Sequence, residues 1–212
     1  EGGAFREDIV AQKRFPTIAP LLAAAGYDTA FCGKSHLGPP RDYGFATGKE
    51  MNDPTDDETF AFAAQFLQER KGNPTPFFLW VAPRQPHVPL KPPQEWLDLY
   101  SDAEISIDPN FMESPPPESI YNQGLPGEHF YRDSDFKNNY RQLPSGPPRS
   151  KDQVRQFTHA YYAVISRLDH QVGEFLNQLK NAGVYENTVI IYLSDNGYNL
   201  GNHGLGNKIT MH

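Results

Sequence analysis

Three short loops of this chain concentrate the residue types that anion binding, acid–base chemistry and metal binding require. Cys32-Gly33-Lys34-Ser35-His36-Leu37-Gly38 sets an ammonium and an imidazole beside glycines that leave backbone N–H groups accessible. Such a loop suits an oxyanion such as sulfate or phosphate; the plainer reading is a surface turn with a solvated lysine. His87 stands between Pro86 and Val88-Pro89, whose rings restrict the local backbone and fix where the imidazole points. Without context, such a histidine is a solvated or hydrogen-bonded bystander. Asp195 and Asn196 place two hard oxygen donors side by side, the type that Ca²⁺ or Mg²⁺ prefers, although Asp-Asn-Gly is also a common turn. Asn199, Gly201, His203, Gly204, Gly206 and Lys208 follow, adding a further imidazole and ammonium. That glycine density favours a ligand loop over a simple hairpin.

The elements that must position these loops are legible from periodicity. Residues 17–25 read as a short helix, with Pro20 in its first turn and Gly26 in the left-handed closing position. They lead into a strand-like run, residues 27–31, which ends at the Lys34 loop. A second helix is expected over residues 57–71, with Phe60, Ala63, Ala64 and Leu67 on one face and Gly72 at its end. Phe77-Phe78-Leu79-Trp80-Val81-Ala82 is an unbroken apolar run of strand length, expected to be covered on both faces. Pro83 stops it, and the His87 loop follows. The clearest signal is a helix over residues 150–182, where Val154, Phe157, Tyr161, Ile165, Leu168, Val172, Phe175 and Leu179 recur at spacings of three and four. Ser150 with Gln153 fits a capping box and Gly183 the closing position. Thr188-Val189-Ile190-Ile191-Tyr192-Leu193 is rich in β-branched residues and reads as another buried strand, running into Asp195.

Strands alternating with helices predict an α/β fold, a mainly parallel sheet with helices on both faces. Ligands of such sheets collect beyond the carboxyl ends of the strands. All three polar loops begin there, so they can converge on one site. Residues 1–212 are read as a single partial domain with a proline-rich excursion at about residues 100–149. That excursion carries Phe111, Tyr121, Phe130, Tyr131, Phe136 and Tyr140, and so many aromatics argue for order rather than a solvated linker.

Bulk properties exclude several classes. At 212 residues the chain has the size of one compact domain. Its net charge of −7, from 19 Lys and Arg against 26 Asp and Glu, opposes binding to a phosphate backbone, so nucleic acid is not an expected partner. No run of about 18 apolar residues exists to span a bilayer. The single cysteine, Cys32, allows no internal disulfide. It ends a predicted buried strand and reads as a small core residue rather than a nucleophile.

Taken together these residues resemble the type I sulfatase family of the alkaline phosphatase superfamily. The stretch LAAAGYDTAFCGKSHLG, residues 22–38, is similar to the family's A-G-Y-x-T...G-K-W-H-L-G signature. Residues 77–90 resemble its strand followed by P-H-x-P, and residues 161–208 its long helix, S-D-N-G strand end and G-x-H-G...K segment. The resemblance implies an alkaline-phosphatase/sulfatase-like core, incomplete at both ends. It implies that Lys34 and His36 contact the sulfate and the activated nucleophile, and that His87 and Lys208 bind sulfate oxygens and assist departure of the alcohol. Asp195 and Asn196 would ligate the divalent cation, usually calcium with Mg²⁺ possible, and His203 would face the substrate. The family's nucleophile is a formylglycine made from Cys or Ser in a C/S-x-P-x-R motif. Cys32-Gly33-Lys34-Ser35-His36 does not fit that motif. The formylglycine is therefore expected upstream of this chain, and the chain alone is expected to be inactive. Ser35 stands where the family usually has tryptophan, which puts local packing and substrate fit in question.

The activity so implied is hydrolysis of a sulfate ester on a carbohydrate or other small alcohol, with export to a periplasm, lysosome or cell exterior by analogy with the family. Two rival readings stand beside it. One is a phosphomonoester or phosphonate hydrolase of the same superfamily, because a tetrahedral oxyanion site does not by itself separate sulfur from phosphorus. The other is a non-catalytic remnant that binds an anion or a metal.

Overall fold

The computed structural model describes residues 16–36, 38–100, 105–114, 116–118 and 150–207. These fall into two compact units, Glu1–Arg84 with Gln171–Thr188, and Gln85–His170 with Val189–His212.

The first unit is built on a three-stranded parallel sheet. Helix α1 (Ile18–Ala24) closes at Gly26, whose φ of 88° is the left-handed conformation expected there. Strand β1 (Asp28–Gly33) follows and is almost wholly buried. It runs two residues beyond its expected end, taking in Cys32 and Gly33. A 3₁₀ turn (Pro40–Tyr43) leads to β2 (Thr47–Glu50), and α2 (Asp57–Glu69) leads to β3 (Phe77–Ala82). The strand order is β2-β1-β3, so β1 is central, and Cys32 pairs in register with Lys49 on one side and Val81 on the other.

Alternation along the strands divides the core. Phe31 and Phe78 face Ala19 of α1 and Phe45, whereas Cys32, Leu79 and Val81 face Met51, Ala63 of α2 and Phe175. Helices therefore cover both faces of the sheet, as predicted. Coverage of β3 is thinner than predicted: none of its residues is fully buried, and Trp80 is half exposed. The reason is its place in the sheet, since among the described residues β3 pairs with β1 alone. Arg70 at the end of α2 pairs with Asp28, donates to the Thr75 carbonyl and lies 5.3 and 5.4 Å from the ring centroids of Phe66 and Phe77. That contact joins the helix end to the beginnings of β1 and β3.

The turn into α2 is organised by Asp53. Its carboxylate accepts the Thr55 N–H at 2.9 Å, the Thr55 hydroxyl at 2.7 Å and the Glu58 N–H at 3.1 Å, satisfying a donor at the helix start. Partial burial pushes the Asp53 carboxyl up, but the hydrogen bonds from Thr55, Glu58 and Asp57 outweigh it and hold the group below its ordinary value. The stability it contributes is thus present above the usual aspartate range and is lost as pH falls through the lowered native value. Asp53→Ala is expected to cost about 1 kcal/mol, as the loss of a helix cap does. Urea melts at pH 7 and at pH 3 check this: the difference between variant and parent should shrink at pH 3, and an equal difference at both would contradict it.

The second unit packs α3 (Gln94–Asp98) against the first five turns of a long helix, α4 (Lys151–Asn181). Val88, Leu90 and Leu97 meet Phe157, Ala160, Ala163 and Val164, with Trp96, Tyr161, Tyr198 and Leu200 around them. Ser150 and Gln153 form the predicted capping box reciprocally: Ser150 N–H donates to Gln153 Oε1 at 2.8 Å, and Gln153 N–H to Ser150 Oγ at 3.3 Å. Tyr100 and Ser166 share a 2.5 Å hydroxyl contact, and His159 donates through Nε2 to the Leu97 carbonyl at 2.9 Å. Ile165, expected on the buried face, is exposed.

The strand expected at residues 188–193 is not formed. Val189, Ile191 and Leu193 are 88, 73 and 80% exposed. β-branched residues favour an extended backbone, but a strand needs a neighbour to accept and donate its hydrogen bonds, and no described strand pairs with this segment. A short antiparallel hairpin, β4 (Asn199–Leu200) with β5 (Gly206–Asn207), follows it. Among the described residues no helix is long and apolar enough to cross a membrane.

Candidate active site

Lys34 emerges directly from the carboxyl end of β1, the central strand. Its N–H donates to the Ala82 carbonyl at 2.8 Å, and the Gly33 carbonyl accepts the Met51 N–H at 2.8 Å, so both neighbouring strands hold the backbone from which the ammonium projects. Gly33 has a φ of 109° and lies so close to β3 that an added Cβ would sit 2.0 Å from the Ala82 oxygen. Only glycine permits that approach. Lys34 is half-buried and His36 exposed. Between them, Ser35 Oγ donates to the Gly38 carbonyl at 3.3 Å, so the serine closes the turn on itself.

The strand that precedes His87 is fastened by a residue absent from the sequence reading. Asp56 is 1% exposed and adopts a φ of 61°, and its Oδ1 accepts the Arg84 N–H at 2.7 Å. Arg84 also reaches the Asn52 carbonyl. A buried carboxylate is costly unless it is hydrogen-bonded, yet nothing local in Asp-Pro-Thr-Asp-Asp distinguishes Asp56 from Asp53 and Asp57, neither of which is buried.

In the second unit His87 is half-buried, flanked by cis Gln85-Pro86 and Val88-Pro89 bonds. Its Nδ1 lies 2.6 Å from the Val88 carbonyl. A carbonyl can only accept, so Nδ1 carries the proton there and the lone pair of the neutral ring is on Nε2.

Asp195 and Asn196 are both exposed. The Asp195 carboxylate has no hydrogen bond or ion pair among the described residues. Asn196 Nδ2 donates to the Gly197 carbonyl at 2.7 Å, leaving its amide oxygen as a further acceptor. Ser194 Oγ closes the turn onto the Asn196 carbonyl at 2.8 Å. Among the described residues there is no group of three or more His, Cys, Asp or Glu side chains that could hold a metal ion. His203 lies in the same unit, in the loop between β4 and β5, with a φ of 53°. Lys208 is outside the described residues.

Cys32 is fully buried between β2 and β3, and burial pushes its thiol up to about 12. At neutral pH it is a protonated core group, as its position at the end of a buried strand predicts. A literal match to C/S-x-P-x-R does occur within the chain, at Ser145-Gly146-Pro147-Pro148-Arg149. It stands downstream of the Lys34 block rather than upstream, in the proline-rich stretch and outside the described residues.

A parallel sheet with helices on both faces, carrying a glycine-bounded Lys-x-His loop at the end of its central strand, belongs to the α/β class that binds ligands at strand ends. The particular family follows from comparison with known proteins: the Sulfatase family model matches residues 3–211, and the chain belongs to that family. It is 35% identical over 144 residues to iduronate 2-sulfatase of Mus musculus, covering 67% of this chain and 25% of that protein. It is 28% identical over 246 residues to choline-sulfatase of Rhizobium meliloti, covering 94% of this chain and 46% of the relative. The chain thus spans between a quarter and a half of the length of these relatives. Among solved structures, a protein in complex with its substrate D-glucosamine-2-N,6-O-disulfate superposes with a TM-score of 0.67 at 21% identity, over 92% of this chain and 52% of that one. The phosphonate monoester hydrolase of Agrobacterium radiobacter does so with a TM-score of 0.67 at 16% identity, over 94% of this chain and 51% of its own. At such identities these two likenesses speak for the fold.

Proposed function

We propose that the full-length protein containing this chain hydrolyses the sulfate ester of a saccharide or other small alcohol. The observation that carries this reading is the Lys34-Ser35-His36 loop. It leaves the central strand of a sulfatase-family sheet on a backbone held by hydrogen bonds from both neighbouring strands. The saccharide part rests on relatives: iduronate 2-sulfatase, an ulvan-active sulfatase and the disulfated glucosamine complex are named for sugar substrates.

In this reading Lys34 and Lys208 neutralise the charge on the sulfuryl oxygens, and His36 orients the attacking oxygen. As the bond from sulfur to the ester oxygen breaks, His87 delivers a proton to the departing alcohol. With Nδ1 committed to the Val88 carbonyl, His87 would enter the step as the imidazolium and lose the proton on Nε2, leaving the neutral Nδ1–H ring. Asp195 and Asn196 would hold a divalent cation, calcium or magnesium. Both offer hard oxygens on exposed side chains, though Ca²⁺ takes roughly six to eight ligands, so these two supply only part of the set. Bound there, the cation would add positive charge beside the sulfuryl group, and a formylglycine would supply the nucleophile.

A second reading has a specific observation behind it. The fold matches a phosphonate monoester hydrolase as closely as it matches the sugar-disulfate complex, and a multifunctional alkaline phosphatase superfamily protein of Trinickia caryophylli is 30% identical over 149 residues. Release of inorganic sulfate from an aryl sulfate by the full-length protein, measured before and after chelation, tests the leading reading. Sulfate released and then lost on chelation supports both ester hydrolysis and the cation. No release under any metal condition would overturn it.

A further inference from the structure

The loop carrying His203 is held by a segment of the proline-rich excursion that has no counterpart among the motifs described above. His203 N–H donates to the Asn110 carbonyl at 2.9 Å, Met112 N–H donates to the Gly201 carbonyl at 3.2 Å, and Phe111 forms an antiparallel bridge with Asn202. Beneath them Gly201, at a φ of 93°, leaves no room for a side chain: a Cβ would meet the Phe111 ring at 2.7 Å and Val154 Cγ1 at 3.2 Å. The backbones of residues 110–112 and 201–203 are therefore fixed to one another before any side chain is considered.

On that frame three side chains form a relay whose polarity is set at one end. The Leu200 backbone N–H, which can only donate, lies 3.2 Å from Asn202 Oδ1. This assigns the amide of Asn202, whose Nδ2 then donates to Asn110 Oδ1 at 3.1 Å. The amide of Asn110 is assigned in turn, and its Nδ2 faces His203 Nε2 at 3.2 Å. An NH₂ group can only donate, so Nε2 must accept, and the proton of the neutral imidazole is placed on Nδ1.

We infer that Asn110 is a positioning residue for His203. It holds the ring in the Nδ1–H tautomer, so that Nδ1 is the ring nitrogen that carries the proton. The catalytic use of this proton rests on the sulfate-ester reading above; its placement does not. The excursion thus reaches His203 through one amide, and a change at position 110 alters which ring nitrogen carries its proton.

Long-range ¹H–¹⁵N correlation spectra of the His203 ring in the full chain, recorded above the imidazole titration, test the placement without turnover. The parent is expected to show a protonated Nδ1 and a bare Nε2. In Asn110→Asp the facing group can only accept, so the proton is expected to move to Nε2. Asn110→Ala, which removes the donor without adding an acceptor, should give a mixture of tautomers. A residue that merely braced the loop would alter stability but not the site of the proton. An Nε2–H ring in the parent, or the same tautomer in Asn110→Asp with amide dispersion retained, would overturn the inference. Unchanged sulfate-ester turnover in His203→Ala of the full-length protein, with the tautomers behaving as expected, would leave the placement standing and overturn its catalytic use, whereas absence of sulfate-ester turnover in the parent would overturn the reading on which that use rests.

Discussion

Replacing Lys34 by alanine is expected to lower kcat/KM of the full-length protein for an aryl sulfate by about 10²–10³-fold, the range seen when one charge-stabilising group is removed from a preorganised site. The argument is local. The backbone at Lys34 is held through the N–H that donates to Ala82. Truncation therefore removes the ammonium and leaves the strand end in place. Melting temperature should change little, and the loss should fall on kcat as much as on KM, since the charge it meets grows toward the transition state. Lys34→Arg is expected to recover only part of the rate, because a broad planar guanidinium does not reproduce the position of a compact ammonium on a four-carbon stem. A Lys34→Ala protein with the parent's kcat/KM would remove this residue from the site.

Gly33→Ala is expected to be the most damaging single substitution in the first unit, at about 3 kcal/mol or more. Two costs add. A φ of 109° is disfavoured for any residue with a Cβ. The new methyl would also lie 2.0 Å from the Ala82 oxygen, 2.6 Å from its carbonyl carbon and 3.1 Å from Thr59 Cγ2. None of these neighbours can withdraw cheaply, because Gly33 and Ala82 are register partners in the sheet and Thr59 is 1% exposed. Gly72→Ala is the control: its φ is 78°, but no atom lies within 4 Å of the added Cβ. It should cost only the backbone term, about 1–2 kcal/mol. Denaturant midpoints at constant slope separate the two, and equal losses at both positions would contradict the close approach of β1 to β3.

What could be read from the residues alone divides along physical lines. Phe77–Ala82 was legible to the residue because an apolar run stopped by Pro83 has few alternatives. The long helix was legible because its periodic face is reinforced by a capping pair at one end and Gly183, at a φ of 72°, at the other. β2 was not legible: Thr-Gly-Lys-Glu has no apolar face, all four residues are exposed, and the strand exists through backbone pairing with β1. The segment Val189–Leu193 errs the other way, since strong β propensity there meets no partner strand among the described residues. Of the candidate site residues, Lys34, His36 and His87 stand out in the sequence because they follow strands at glycine or proline breaks. Asp56 and Asn110 could not, because each acts on a residue far away in sequence, Arg84 and His203, and no local pattern records such a pairing.

The account stands most directly on sulfur being the element transferred. The deciding measurement is kcat/KM of the full-length protein for an aryl sulfate and for the aryl phosphate with the same leaving group, at matched pH and divalent ion. The account predicts that the sulfate is the better substrate and that Lys34→Ala lowers its turnover. Preference for the phosphate, with Lys34→Ala lowering that activity instead, would contradict it and make this strand-end loop part of a phosphoester hydrolase.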